Sequence, residues 1–402
     1  MNIAQFISHF PYPDQFENPR LIRDYVCSGG EIAAYKLAVN LARLDHGVHV
    51  FTSSVDGRES LETVEGMTIH RYASLTEVGT TRISPALLWG PLREKGMDIV
   101  HVQHTTPPGG AAGLAYAGIR RKPLVVTHHG FERFENYGTL ARRLFVFLTA
   151  NFFVDFLFAR ADALIAVSPF FASRSRYLKK YMDKTVSIPN GIDLEEYQTP
   201  LTAREARSAL SLPDAAPVIL FVGSLIPRKG VDVLLAAMSR VVGEYPDAEL
   251  VLVGQGLMRE QLARQAEELG LGARVRFCGF IGDVAQKVLY YRSADVLAVP
   301  SVDDMEAFPL VLLEGSALGC AMAVSDLETF RILIRDGETG VSVKTGDPES
   351  MANGILSILG NPELRNRLST TARENAGRFS WKQAALETEK VYRRCLAAGG
   401  PR

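Results

Sequence analysis

Short apolar runs alternate with helix-length amphipathic stretches along nearly the whole chain, and this rhythm constrains its fold more than any other feature. A parallel strand buried on both faces reads as a continuous apolar run, and reaching its parallel neighbour takes a crossover, usually a helix. In the first half such runs fall near 2–8, 47–53, 98–102, 123–127, 163–167 and 185–188, with helical patterns near 30–44, 85–95, 109–119, 139–160 and 170–180. In the second half the runs fall near 217–222, 248–253, 274–277, 295–299, 321–325 and 340–343. Helices are expected there near 231–243, 257–269, 283–292, 309–318, 347–360 and 362–376. Asp347-Pro348 and Asn361-Pro362 pair an N-cap residue with a first-turn proline and mark two of these starts.

The chain has 402 residues, too many for one ordinary core. After Asn190-Gly191-Ile192-Asp193 it turns polar, and Pro200, Pro213 and Pro217 punctuate a linker-like stretch before a fresh strand. The expected architecture is α/β, with two Rossmann-like domains facing each other across a cleft at the carboxyl ends of their strands, where open α/β sheets bind ligands. The boundaries read as 1–195, 196–378, and a further helix in 379–402 beyond the second sheet.

A formal net charge of −1 gives no general field for nucleic acid or anionic lipid. Cys27, Cys278, Cys320 and Cys395 lack CxxC spacing and read as reduced, buried thiols of a cytoplasmic protein. The N-terminus has no basic start with a long apolar core, so it reads as a first strand and not as a signal peptide. Leu144 to Ala159 is apolar but interrupted by Thr149, Asn151 and Asp155, so a buried helix is expected. Its phenylalanines, with Arg142 and Arg143, also suit peripheral contact with a membrane surface through 131–158. All eight histidines lie within the first 129 residues, and no metal site is expected from them.

Two stretches of the second half carry chemistry. Phe221 to Gly230 contains Arg228-Lys229-Gly230 between a buried strand and a helix, which reads either as a pyrophosphate seat or as a solvated pair. After the strand Val296–Val299, Glu306-Ala307-Phe308-Pro309-Leu310-Val311-Leu312-Leu313-Glu314 places Pro309 at a helix's first turn. The amides of Leu310 and Val311 would then be open to a phosphate. Glu306 stands before the helix and Glu314 more than one turn inside it, two carboxylates able to accept from sugar and ribose hydroxyls. Asp303-Asp304 reads as solvated loop charge.

In order and spacing these elements resemble the retaining, nucleotide-sugar-dependent glycosyltransferases of family 4, with the GT-B fold. Other landmarks of that family are Ser28-Gly29-Gly30-Glu31, Thr127-His128-His129-Gly130, Ala161-Asp162-Ala163 with Val167-Ser168, and Asn190-Gly191-Ile192-Asp193. Gly254-Gln255-Gly256, Phe277-Cys278-Gly279-Phe280 and Phe379-Ser380-Trp381 complete the set, and the last of them opens the helix that in this fold crosses back to the first domain. The resemblance implies that Lys229, helped by Arg228, neutralises the diphosphate leaving group. It assigns Glu306 to the transferred sugar, Glu314 to the ribose, and the backbone at Phe308, Leu310 and Val311 to the phosphates. It further assigns Phe280 and Ile281 to the base, His129 to the transferred sugar, and Gly29 and Gly30 to close approach by the donor phosphate. The implied reaction moves a hexose-type sugar from a UDP- or GDP-linked donor to a glycan, lipid-linked or small-molecule acceptor. It implies no metal and no cofactor, while the cysteines and net charge add a cytoplasmic location, either free or peripheral at the inner membrane face, and no nucleic-acid partner.

The sequence departs from the family pattern at Ser224, where an arginine is usual, and at 327–332, where a glycine pair and proline-glutamate are replaced by Leu327-Glu328-Thr329-Phe330-Arg331-Ile332. Two rival readings follow. One is a nucleotide-sugar epimerase of the same fold, and the other a non-catalytic subunit that binds a nucleotide sugar without turnover.

Overall fold

The computed structural model describes residues 1–13, 29–55, 57–78, 81–103, 106–130, 140–303 and 306–398. Cys27, Ser28, His104, Asp304 and the stretch 131–139 lie outside the described residues. The chain divides into two compact units, Met1–Gly191 with Trp381–Arg402, and Ile192–Ser380.

Among its described residues unit 1 holds ten strands: β1 Asn2–Phe6, β2 Gly47–Ser53, β3 Ser60–Val64, β4 Met67–Tyr72, β5 Thr76–Val78, β6 Thr81–Ile83, β7 Ile99–Gln103, β8 Leu124–His128, β9 Ala163–Ala166 and β10 Thr185–Ser187. Eight form one sheet in the order β10-β9-β8-β7-β1-β2-β4-β3. Every pairing is parallel except β3 with β4. The strands β7 and β8 are buried throughout, which is why they read as apolar runs. The last helix, Trp381–Ala398, packs on the helix Gly29–Ala42 within this unit.

Unit 2 holds β11 Val218–Val222, β12 Glu249–Val253, β13 Val275–Gly279, β14 Val296–Val299, β15 Met322–Ser325 and β16 Val341–Val343. Their order is β13-β12-β11-β14-β15-β16, all parallel. Renumbered within the unit this is 3-2-1-4-5-6, the doubly wound order whose direction of winding reverses between its first and fourth strands. Ligands of such sheets bind outside the carboxyl ends of the strands at that reversal, here between β11 and β14. Ile219, Phe221, Val296 and Ala298 from those two strands pack against Leu234, Leu235, Met238 and Ile355 of flanking helices. The two helix starts read from Asp347 and Asn361 are present: Asp347 Oδ1 accepts from the amides of Glu349 and Ser350, and Asn361 Oδ1 from that of Leu364.

Several expectations need correction. The first sheet carries an antiparallel edge strand, β3, and the strands β3 to β6 have no counterpart in the apolar rhythm because they face water on one side or both. The helix expected over 139–160 is interrupted by one π turn, Thr149–Phe153, between Leu140–Leu148 and Val154–Arg160. It buries Ala150, Val154, Leu157 and Phe158 but exposes its other face. The 170–180 helix is two pieces, Pro169–Arg174 and Leu178–Lys180. The linker-like stretch contains a helix, Ala203–Ala209, started by a capping box of Thr202 and Glu205. Of the three described cysteines only Cys320 is buried, and Cys278 and Cys395 are half-buried. No helix among the described residues is long and apolar enough to cross a membrane.

Candidate functional site

The loops after β11 and β14 are tied together by the backbone. Gly230 has φ +64°, and a Cβ there would stand 2.1 Å from the Pro300 carbonyl oxygen, so only glycine lets the two loops approach. The Val302 amide donates to the Arg228 carbonyl at 2.9 Å. Arg228 and Lys229 are thereby held against the segment leading to Glu306. Lys229 Nζ donates to Glu306 Oε1, Arg228 lies 3.8 Å from Oε2, and Ser301 Oγ donates to Oε2 at 3.3 Å. Glu306 and Lys229 are nearly buried, whereas Arg228 is 42% exposed. Burial alone would raise the Glu306 carboxyl, but Lys229, Arg228 and the two hydrogen bonds outweigh it and hold the group below its ordinary range. The result is a desolvated ionic cluster at the winding reversal, with one cation still facing water.

The helix Leu310–Leu318 begins just beyond. Pro309 is its N-cap, with extended backbone (φ −80°, ψ 102°), one position earlier than the first-turn placement expected. Leu310 and Val311 are therefore its first two residues, and their amides have no acceptor within the helix. Phe308 is buried and meets Phe379 at 6.2 Å between ring centres. Glu314, one turn further, receives three donors: Lys287 Nζ (2.8 Å) and Tyr197 Oη (2.8 Å) on Oε1, and Tyr291 Oη (2.6 Å) on Oε2. Burial opposes its charge, and Lys287 with the two phenols overcomes that, so its carboxyl too is depressed. Phe280 and Ile281 follow β13 and are half-buried. The substituted loop folds as a 3-10 turn, Glu328–Ile332, with Thr329 and Phe330 buried. Asp303, read as solvated charge, is buried.

In unit 1, Gly29 and Gly30 open the helix Gly29–Ala42. His129 follows the carboxyl end of β8, and its Nε2 lies 2.9 Å from Gln103 Oε1 at the end of β7. Its neighbour His128 turns inward, packed among Phe158, Phe171 and Tyr177.

Comparisons with known proteins bear on the family and the fold. Residues 27–196 match the model described as Glycosyltransferase Family 4, and residues 202–375 the model described as Glycosyl transferases group 1. A D-inositol 3-phosphate glycosyltransferase of Segniliparus rotundus is 30% identical over 377 residues, covering 89% of this chain and 83% of that protein. The chain belongs to glycosyltransferase family 4. This family-4 glycosyltransferase is also 36% identical over 219 residues to a phosphatidyl-myo-inositol mannosyltransferase of Mycobacterium tuberculosis, covering 53% of this chain and 55% of the relative. The match thus spans about half the length of that relative. Among solved structures, Thermosynechococcus elongatus sucrose-phosphate synthase has a TM-score of 0.76 at 26% identity, over 99% of this chain and 100% of that one. Anabaena HepE, solved with UDP and glucose, has a TM-score of 0.73 at 20% identity over 97% and 98%. Both share the two-domain GT-B fold.

Five polar residues of the chain's two units were given no role from its sequence. Lys287, Tyr197 and Tyr291 reach Glu314 from two helical segments, and Ser301 reaches Glu306 from the end of β14. Gln103 reaches His129 across adjacent strands. Apart from the Ser301–Glu306 contact, five residues apart, each joins residues distant in sequence, so no spacing rule signals it. The rhythm of β7 and β8 would have placed Gln103 beside Thr127, its registered partner, two positions before His129.

Proposed function

We propose that this chain transfers a hexose-type sugar from a UDP- or GDP-linked donor, with retention of configuration and without a metal ion. The observation that carries the reading is the Lys229–Glu306–Arg228 cluster beside the uncapped amides of Leu310 and Val311 at the winding reversal of unit 2. A diphosphate in this position would meet two cations and two amides, which together supply the charge stabilisation that a magnesium ion gives elsewhere. As the donor's bond from the anomeric carbon to the phosphate oxygen breaks, its electron pair passes to the diphosphate. The acceptor oxygen bonds to the anomeric carbon on the same face, and its proton goes to the departing phosphate. Glu306 would hold the sugar hydroxyls, Glu314 the ribose, and Phe280 and Ile281 the base.

The acceptor reading is a glycan, a lipid-linked glycan or a small polyol. Two relatives carry inositol-bearing compounds in their names, one a lipid and one a soluble phosphate. Contact with the inner face of a membrane is supported by one exposed stripe: Leu140, Leu144, Phe147, Leu148, Phe152 and Phe156 are 48–80% exposed and recur at helical spacing. Co-sedimentation with anionic vesicles tests it, and a Phe147→Ser/Phe152→Ser variant should lose the binding.

A thermal-shift screen against UDP, GDP, ADP and their sugar conjugates, with and without magnesium, tests the donor reading. A metal-independent shift with UDP or GDP, lost in Lys229→Ala, supports it. No shift with any nucleotide removes the reading. Anomeric coupling constants of the product formed on phosphatidylinositol, inositol phosphate or a glycan acceptor decide retention. Nucleotide binding with no product on any acceptor would leave a non-catalytic binding subunit.

A further inference from the structure

Glu314 is nearly saturated with hydrogen bonds before any ligand arrives. An ionised carboxylate offers about four lone-pair sites, two on each oxygen. Lys287 Nζ and Tyr197 Oη, both at 2.8 Å, fill Oε1, and Tyr291 Oη at 2.6 Å takes one site on Oε2. Among the described residues these three are its whole set of donors, which leaves one open site, on Oε2. A ribose brings two neighbouring hydroxyls. One can enter the open site, but the second finds Oε1 full, and a hydroxyl left without an acceptor in a buried site weakens binding.

The three resident donors are not equally fixed. Lys287 and Glu314 have side chains only 16% and 14% exposed, so parting them would leave two charges uncompensated out of water. Tyr291 is fully buried within the helix Val284–Ser293 and binds the other oxygen. Tyr197 ends a short 3-10 segment, Leu194–Tyr197, is only half-buried, and follows the exposed Glu195 and Glu196. Of the two groups on Oε1, its uncharged hydroxyl is therefore the one that can turn to water at small cost. That hydroxyl is a donor and not an anion, because burial and the charge of Glu314 raise its ionisation far above the ordinary value.

We infer that Tyr197 is a specificity-determining placeholder: its hydroxyl occupies the position on Glu314 that the second ribose hydroxyl takes, and yields it when a ribonucleotide binds. The inference rests on the ribose role proposed for Glu314 and deepens it. A 2′-deoxyribose has one hydroxyl fewer, and its remaining hydroxyl fits the open site on Oε2 without displacing anything. The hydrogen bond broken at Tyr197 is thus a cost borne by ribonucleotides alone, and it narrows the preference for ribose that Glu314 would otherwise impose.

Calorimetric titration of the full chain with UDP, GDP and their 2′-deoxy counterparts, beside Tyr197→Phe, reads this difference without turnover. Tyr197→Phe should bind the ribonucleotide about three- to tenfold more tightly, the net worth of the one hydrogen bond no longer broken. Its affinity for the 2′-deoxy nucleotide should change by less than about twofold. Tyr291→Phe removes a phenol that is not displaced, and it should not tighten ribonucleotide binding. Weaker ribonucleotide binding in Tyr197→Phe would mean that the phenol stays and touches the nucleotide, and it overturns the inference. Equal tightening for ribose and deoxyribose would mark a general loosening of the segment and overturns it too, as does tightening in Tyr291→Phe in place of Tyr197→Phe. Ribonucleotide binding that Tyr197→Phe leaves unchanged overturns this inference alone. Nucleotides that bind neither chain remove the donor reading and the inference with it.

Discussion

At the scale of single residues, the strongest statements concern charges held out of water. Glu306 is stable as a carboxylate only because Lys229, Arg228 and Ser301 surround it. Removing one partner of a buried pair leaves the other uncompensated, at a cost of about 3 kcal/mol, while replacing both with apolar groups is often near neutral. Lys229→Ala should therefore lower stability in urea by roughly that amount, lessened by Arg228, and Lys229→Met/Glu306→Leu should recover much of it. A single variant as stable as the unaltered chain would mean that water already screens the pair. His101 gives a second test. Burial depresses it to about 3 in the folded chain. The unfolded chain takes up this proton near pH 6.5 and the folded chain does not, so the stabilisation is complete above pH 6.5 and shrinks as pH falls towards 3. At pH 5 the loss from this one group is about 2 kcal/mol. His46, His49 and His70, also lowered chiefly by burial, push the same way. Denaturant titrations at pH 7 and pH 5 should show a smaller drop in His101→Asn than in the unaltered chain, and equal drops would contradict this account.

At the scale of elements, Gly230 decides whether the β11 and β14 loops meet. Gly230→Ala puts a Cβ on the Pro300 carbonyl and also forces a positive φ on alanine. Stability should fall by more than about 2 kcal/mol and nucleotide binding should weaken with it, because Arg228 and Lys229 move away from Glu306. Gly243→Ala, with open space around its Cβ inside the helix Val231–Glu244, is the control and should be neutral or stabilising. These elements also show what the sequence made legible. Strands buried on both faces, such as β7, β8, β11 and β14, announce themselves as apolar runs. The edge strand β3, Ser-Leu-Glu-Thr-Val, does not, because Leu61 points into water and no run forms. The helix Ala203–Ala209 was hidden for a similar reason: it buries only Ala206 and Arg207, and Arg207 is held by Asp295 and not by apolar contact. Motif order singled out Lys229, Glu306 and Glu314 as candidates. Of the groups that hold those charges, Ser301 stands only five residues from Glu306, whereas Lys287, Tyr197 and Tyr291 reach Glu314 only when distant segments fold.

At the scale of the whole molecule, the two units carry different reporters. The chain has two tryptophans, Trp89 and Trp381, and both belong to unit 1. The candidate donor loops, with Arg228, Lys229, Glu306 and Glu314, belong to unit 2. A ligand that binds only the folded form stabilises it by about 2.7 kcal/mol at a hundred times its dissociation constant. For a unit of this size each kcal/mol moves the melting temperature by about 2–4 °C. A two-domain chain need not melt in one step, so fluorescence and circular dichroism can report separate transitions. With saturating UDP or GDP, the dichroism transition of unit 2 should rise by about 5–10 °C while the tryptophan transition moves by less than about 1 °C. A shift confined to fluorescence would put the nucleotide in unit 1 and overturn the assignment of Lys229 and Glu314. Equal shifts by both probes would mean that the units unfold as one block. The Lys229→Ala variant then decides, since a nucleotide seated in unit 2 must lose its stabilising effect on both transitions when that cation is removed.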